Sequence, residues 1–275
     1  MTSSIFRKIV WKYYEEHGRH SLPWRKTHDP YKVMVSELML QQTQVDRVIP
    51  YFKAWMKKYP NVQTLAAASL ADVLISWQGL GYNRRAKMLH EAAKTVVQKH
   101  SGKMPKTAEE LETLPGVGPY TARAVAAFAY NQHVIFIETN IRTAIIHHFF
   151  ADRTDIPDSE VSAVLENVFP KTDTTGTKGA REWYAALMDY GAHLKRSGIH
   201  INAKSKGYTK QSAFSGSARE VRGAILRTLS TGSVSATKIS KLFPKDRTDQ
   251  LKTQLTKLQK EGLITKHGTS YSLPH

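Results

Sequence analysis

The chain of 275 residues has no cysteine. That excludes disulfides, thiolate nucleophiles and any zinc or iron–sulfur centre held by thiolates. Acids are few, with 23 Asp and Glu against 40 Lys and Arg, for a formal net charge of +17. A soluble chain this basic meets a polyanion, and its charge governs association rather than fold. Nucleic acid is the first expectation and an anionic membrane surface the second. No apolar run approaches the ~18 residues that span a bilayer, and no basic-then-apolar leader opens the chain, so the cytoplasm is the expected location. Strand signals are also scarce. What is present is 41% apolar residues, enough for a core, and 23% charged residues, too few for a disordered chain.

Residues 1–210 read as helices. "SSIFRKIVWKYYEEHG" has Ser at its front and Gly at its end. "DPYKVMVSELMLQQTQVDRVIPYFKAWMKKYP" keeps the helical period over a longer span bounded by prolines, and "TLAAASLADVLISWQGLGYNRRAKMLHEAAKTVVQKHSG" reads as two helices broken at "GLG". In "TAEELETL", Thr107 and Glu110 have capping-box spacing. "YTARAVAAFAY", "DSEVSAVLENVF" and "AREWYAALMDYGAHL" add three more helices. His147 and His148 are adjacent on a helix and diverge by roughly 100°, so they cannot chelate one ion; no metal site is expected. Trp24, Trp55, Trp77 and Trp183 are expected in the core.

From about Lys195 the composition changes. "KRSGIHINAKSKGYTKQSAFSGS" has five Lys or Arg and no acid. It reads either as a solvated linker or as a basic segment that lies on phosphates. Residues 218–275 regain periodicity as three helices followed by a hairpin turning at "HGTS", the order of a winged helix. With 11 Lys or Arg against four acids, this tail could serve nucleic acid or a protein partner. The division is therefore 1–195, a basic linker 196–217, and 218–275.

Within "LPGVGPYTARAVAAFAYNQHVIFIETNIR", Gly116 and Gly118 can take conformations that converge backbone N–H groups on an anion, and the next helix adds the positive end of its dipole. Helix, glycine hairpin and helix together form a grip for one phosphate, read without sequence. These residues, with "LPWRKTHDPYKVMVSELMLQQTQVDRVIPYF", "WQGLGY" and "MDYGA", resemble the helix–hairpin–helix superfamily of DNA glycosylases, in the endonuclease III and MutY branch. The resemblance covers about residues 5–195 and is MutY-like. It implies a mainly α fold, a two-lobed helical glycosylase domain followed here by a winged-helix-like domain. It implies an enzyme of base excision repair, associated with the nucleoid, that flips a base out of double-stranded DNA into a pocket and hydrolyses its N-glycosidic bond. A monomer is the expectation.

The resemblance assigns roles. Glu138 takes the position of the acid that stabilises the oxocarbenium ion and orients water; Asp is usual there, and Glu adds a methylene. The other reading of Glu138 is a cap for the helix that follows. Glu37 takes the position that protonates an adenine leaving group, which needs a carboxyl kept protonated by burial; the alternative is a buried acid tying down a loop. Tyr120 stands where strand-cleaving relatives carry Lys, so no Schiff base forms and the enzyme is monofunctional. Gln42 is the residue that fills the gap left by the flipped base. Tyr82 and Asn83 probe the pair from the other side, while Arg84 and Arg85 contact phosphates. Leu114, Gly116, Val117 and Gly118 hold the strand at the hairpin.

Three departures bear on function. The iron–sulfur cluster of many relatives cannot form; Lys195, Arg196, Lys204, Lys206 and Lys210 are left to present the basic loop to DNA, and a monovalent cation at the hairpin carbonyls stays open. Asn83 stands where adenine enzymes carry a second aromatic residue. The hydrolase-like C-terminal domain that reads 8-oxoguanine in MutY has no counterpart. The leading expectation is removal of adenine from a purine mispair, opposite G or 8-oxoguanine. The alternatives are a mismatch thymine or uracil glycosylase, and a non-catalytic DNA-binding protein of the same fold.

Overall fold

Capping residues set where the helices of this chain begin and end. The computed structural model describes residues 1–170, 179–209 and 211–274. Its helices are α1 (Ser3–His17), α2 (Pro30–Leu40), α3 (Val45–Lys58), α4 (Val62–Ala66), α5 (Leu70–Ser76), α6 (Arg84–Lys99), α7 (Ala108–Glu112), α8 (Pro119–Tyr130), α9 (Thr139–Phe149), α10 (Asp158–Val168), α11 (Ala180–Arg196), α12 (Ala218–Leu229), α13 (Ala236–Ser240) and α14 (Thr248–Lys260). Three short strands, β1 (Val234–Ser235), β2 (Thr265–His267) and β3 (Ser270–Ser272), lie in the tail. Thr2, rather than Ser3, caps α1 by accepting from Ile5 N. Thr107 and Glu110 exchange the expected reciprocal bonds, at 3.2 and 3.3 Å. Pro119 opens α8, and Asn131, at φ 55°, closes it in the left-handed conformation.

The chain packs as two units. The first holds Met1–Glu37, Lys106–Glu112 and Gly118–Lys210; the second holds Leu38–Pro105, Thr113–Val117 and Gln211–His275. The long helical span from Asp29 breaks at residues 41–44 into α2 and α3, and the following span gives three helices rather than two. The period alone does not show these breaks, because the apolar positions keep their spacing across them.

In the first unit α11 is the central element, packed on α1, α8 and α9. Phe6 meets Phe149 and Trp183 edge-on, at ring separations of 5.2 and 6.3 Å. Asp189 on α11 is almost fully buried and accepts from Arg19 and Arg25. Burial pushes its pKa up, but the two guanidiniums outweigh this and hold it below the usual carboxylate value. Gly191 sits in the middle of α11, where glycine normally costs a helix roughly 1 kcal/mol. The reason is close approach: a Cβ there would lie 1.9 Å from the Asn140 carbonyl oxygen of α9.

In the second unit Trp55 and Trp77 meet edge-on at 5.4 Å within a core that includes Val48, Leu65 and Leu89. The tail contributes Ile225, Leu251, Leu258 and Leu263, all buried. Its order is helix, strand, helix, helix, strand, strand, and the sheet runs β1-β3-β2, antiparallel throughout. Three helices and a terminal hairpin are present as the sequence led one to expect, with β1 added; two residues are too few to show alternation. Lys87 of α6 donates to the Glu261 carbonyl at the end of α14, at 2.5 Å.

The α9–α11 contact makes a test. Gly191→Ala should destabilise the protein by about 1–3 kcal/mol, because the new methyl meets backbone that cannot rotate away. Urea unfolding of the full chain measures this; an unchanged midpoint would contradict the close approach.

Candidate active site

Two carboxylates and a tyrosine meet in the first unit. Glu37 lies near the end of α2, only 7% exposed, on a turn shared with buried Val33, Met34 and Val35. The Tyr120 hydroxyl, from the first turn of α8, donates to Glu37 Oε2 at 3.0 Å. Burial raises the Glu37 pKa to about 7; the Tyr120 hydrogen bond and Arg25 pull it down, and the nearby charge of Glu138 pushes it further up. Burial and the two carboxylates hold the Tyr120 hydroxyl well above its ordinary value, so it remains a donor. Phe136 packs edge-on to Tyr120 at 5.7 Å and stacks on Tyr184 at 4.0 Å, closing an apolar wall behind the acids.

Glu138 is the N-cap of α9. Its Oε2 accepts from Asn140 N at 2.6 Å and its Oε1 from Asn140 Nδ2 at 2.9 Å. The capping reading is therefore realised, and it fixes the carboxylate in place. Burial raises the Glu138 pKa, while the Asn140 backbone and the Lys195 ammonium lower it. Lys195, from the last turn of α11, donates to Asn140 Oδ1 at 2.8 Å. This corrects the sequence expectation for Lys195, which is half-buried against the acid rather than displayed on a basic loop. Asn140 was missed, although "ETN" places an amide two residues beyond the acid. Nothing in the sequence signals the Lys195 contact, which depends on the close packing of α11 on α9.

The two loops expected to probe a base pair both belong to the second unit. Gln42 and Tyr82 are exposed and hold left-handed backbone, at φ 58° and 48°. Such strain in non-glycine residues clusters at functional sites. Arg85 ties the loops together: its guanidinium donates to Leu38 O and Gln41 O at 2.5 and 2.6 Å, and to Leu80 O and Gly81 O at 3.2 Å. It also lies over the rings of Trp77 and Tyr82. Burial lowers its pKa to about 10. The expected phosphate contact of Arg85 is thus corrected, since its Nη1 and Nη2 donate to carbonyls and its Nε is buried; Arg84 is exposed. Asn83 is corrected too: it is 6% exposed, so its amide is not presented to a base pair.

At the hairpin, Leu114 and Val117 bury their side chains and offer only backbone to a ligand. Val117 N donates to Leu114 O at 3.1 Å, closing the turn. Gly116 has φ 74°, and a Cβ there would meet Met88 Cβ at 2.3 Å. Gly118 differs. Its φ is −90° and a Cβ would find open space, so nothing within the chain requires glycine there.

Residues 197–209 stand where relatives hold the cluster, and they contain no thiolate. Backbone pairing holds this segment: Ile156 N donates to Lys204 O at 2.9 Å and Lys206 N to Ile156 O at 3.0 Å. Asn202 Nδ2 donates to Thr139 O, and Thr143 Oγ1 to Asn202 Oδ1. The Lys204 ammonium donates to the Ala151 carbonyl, which ties it to the fold; Lys206 is exposed, and Lys210 lies outside the described residues. Among the described residues no group of His, Asp and Glu is placed to hold a metal, and no helix is long and apolar enough to cross a membrane.

A glycine hairpin between two helices, with one buried and one half-buried acid at helix ends, is the architecture of a helix–hairpin–helix DNA glycosylase. The model of the HhH-GPD superfamily of base excision DNA repair proteins matches residues 35–171. The adenine DNA glycosylase of Mycolicibacterium smegmatis is 37% identical over 230 residues, covering 78% of this chain and 77% of that protein. The human adenine DNA glycosylase is 45% identical over 147 residues, covering 50% of this chain and 27% of that protein. Among solved structures, a thermostable thymine-DNA glycosylase superposes with a TM-score of 0.59 at 24% identity, covering 69% of this chain and 86% of that one. An endonuclease III trapped on DNA gives 0.56 at 19%, with 72% and 87% covered. These two likenesses concern the fold. The chain belongs to the HhH-GPD superfamily, in the family of the adenine DNA glycosylases, and is a hydrolase of base excision repair.

Two tests follow from the geometry. A folded-state pKa near 7 against an ordinary 4.5 means that the folded chain keeps the Glu37 proton while the unfolded chain loses it. Stability contributed by the protonated form is complete below pH 4.5 and declines up to about pH 7. Glu37→Gln, which stays neutral, should therefore match the parent at pH 4.5 and exceed it by up to about 3 kcal/mol at pH 8. Denaturant titrations at the two pH values decide it; a gain independent of pH would refute the shift. At the hairpin, Gly116→Ala should lower the melting temperature. Gly118→Ala should melt like the parent yet bind duplex DNA about tenfold more weakly, through loss of close backbone approach. A Gly118→Ala protein with unaltered affinity would remove the hairpin from the DNA contact.

Proposed function

We propose that the chain is a monofunctional adenine glycosylase acting on adenine mispaired with guanine or 8-oxoguanine in double-stranded DNA. The single observation that carries this reading is the Glu37–Tyr120 pair beside Glu138. A protonated Glu37 donates to the purine ring and makes adenine a better leaving group. Tyr120 donates to Oε2, leaving Oε1 to carry the transferable proton. Glu138, ionised and held by Asn140, stabilises the positive charge that develops on the sugar and orients the attacking water. Two acids with opposed protonation states divide the work, and Lys195 favours the ionised form of the second.

Gln42 and Tyr82 enter the duplex at the lesion, while Gly116, Gly118 and the backbone of Leu114 and Val117 grip a phosphate. Arg84 and Lys206 add phosphate contacts. The enzyme works as a monomer, associated with DNA in the cell, and without an iron–sulfur cluster; a monovalent cation at the hairpin carbonyls is compatible with this reading. The pyrimidine alternative drew on Tyr120 and Asn83; the burial of Asn83 weakens the second of these.

The test is a panel of duplexes carrying defined mispairs, treated with hot alkali after incubation. Strand scission at adenine, seen only after alkali and without a borohydride-trapped adduct, is expected. Scission at thymine or uracil alone would overturn the base assignment, and binding without scission would make the protein a non-catalytic binder. The single-turnover rate should follow a bell in pH. Its alkaline limb lies near 7, as Glu37 loses its proton, and its acid limb lies above the usual carboxylate range, as Glu138 gains one. Glu37→Gln should lower the rate by roughly 10²–10⁴-fold.

A further inference from the structure

The hydroxyl of Tyr82 is held by the C-terminal part of the chain. Gln211 Nε2 donates to Tyr82 Oη at 2.6 Å and Arg219 Nη1 donates to it at 3.1 Å. The Arg219 guanidinium also lies 5.4 Å from the ring centroid, and Arg85 lies 5.3 Å from it. The ring is thus contacted by two cations, one from α6 and one from α12. Arg219 is itself fixed, because Nη2 donates to the Ser212 and Ala213 carbonyls at 2.5 and 3.3 Å. On the segment so fastened, Phe214 is 60% exposed.

We infer that the winged-helix-like tail is a working part of the glycosylase, in which Arg219 and Gln211 are positioning residues for Tyr82. The inference rests on the reading of Tyr82 as the residue that enters the duplex. The chemistry is specific. Gln211 and Arg219 both donate to the tyrosine oxygen, which directs the hydroxyl hydrogen away from them as a donor. Left-handed backbone at Tyr82 and Gly81 sets the ring's exit angle, and the two donors remove the remaining rotation about its side chain. A wedge held in this way inserts without first losing side-chain freedom, and the tail controls how rigid it is. Discrimination between mispaired and paired duplexes therefore depends on residues beyond position 210.

The experiment uses the full chain and compares single-turnover excision of adenine from a mispaired and an ordinary A·T duplex. Wild-type excision from the mispair is the control: without it the functional reading fails, independently of this inference. Given that activity, Arg219→Ala and Gln211→Ala should each lower the mispair rate by about tenfold, the effect of losing a charge-assisted or neutral hydrogen bond to a positioned group. Arg219→Lys should not restore it, because an ammonium cannot stack on the ring and reach both carbonyls. In a Tyr82→Ala background, Arg219→Ala should cost nothing further. Wild-type rates in both single variants would overturn the inference, as would losses that multiply in the double variant, since Arg219 would then touch DNA independently of Tyr82. Gln211 is exposed, so its variant folds even where Arg219→Ala loosens the tail.

Discussion

Everything at the candidate site follows from placing two carboxyl groups, Glu37 buried and Glu138 half-buried, within electrostatic range of each other. Neither Glu37 nor Glu138 is neutralised by a facing guanidinium. Burial raises both pKa values, and the charge on one raises the other further. The environment then separates them. Glu138 receives two donors from Asn140 and the nearby ammonium of Lys195, all of which favour its ionised form. Glu37 receives one neutral donor from Tyr120. One acid is thereby biased toward holding its proton and the other toward releasing it, which is the division of labour that the proposed N-glycosidic cleavage requires.

The substitution of Glu for Asp at position 138 is consistent with this arrangement. A capping carboxylate must reach the N–H group two residues on while facing the site, and the added methylene changes where the head group lies. Asn140 compensates by binding both oxygens, and α11 approaches closely enough at Gly191 for Lys195 to reach that amide. Helix packing thus controls the electrostatics of an acid contributed by a different helix. In the same region, backbone pairing between Ile156 and residues 204–206, with Asn202, ties down the segment that relatives fold around a cluster. Small polar contacts do the structural work for which no thiolate is available.

Arg85 illustrates how a residue type can mislead. Its place in a basic loop motif suggests phosphate, yet five carbonyls from the end of α2 and the two loops converge on it. Carbonyl oxygens at the ends of tight turns lack backbone partners, and a planar fork with several donors satisfies a set of them at once. Glycine at 79 and 81 and left-handed backbone at 42 and 82 create those turns, so the strain and the arginine belong to one design.

The mainly helical character, the capping box at Thr107 and the glycine hairpin were legible from residue types and spacing, because these are local properties of the chain; Glu37 and Glu138 were singled out there as well. The absence of cysteine is likewise read from composition alone. The break of α2 from α3, the two-residue strand β1, the pairing of Lys195 with the Glu138 cap, the burial of Asn83 and the hold of Arg219 on Tyr82 were decided only by the tertiary structure. Each joins residues distant in sequence or depends on which face of an element is covered, and periodicity carries no information about a partner a hundred residues away.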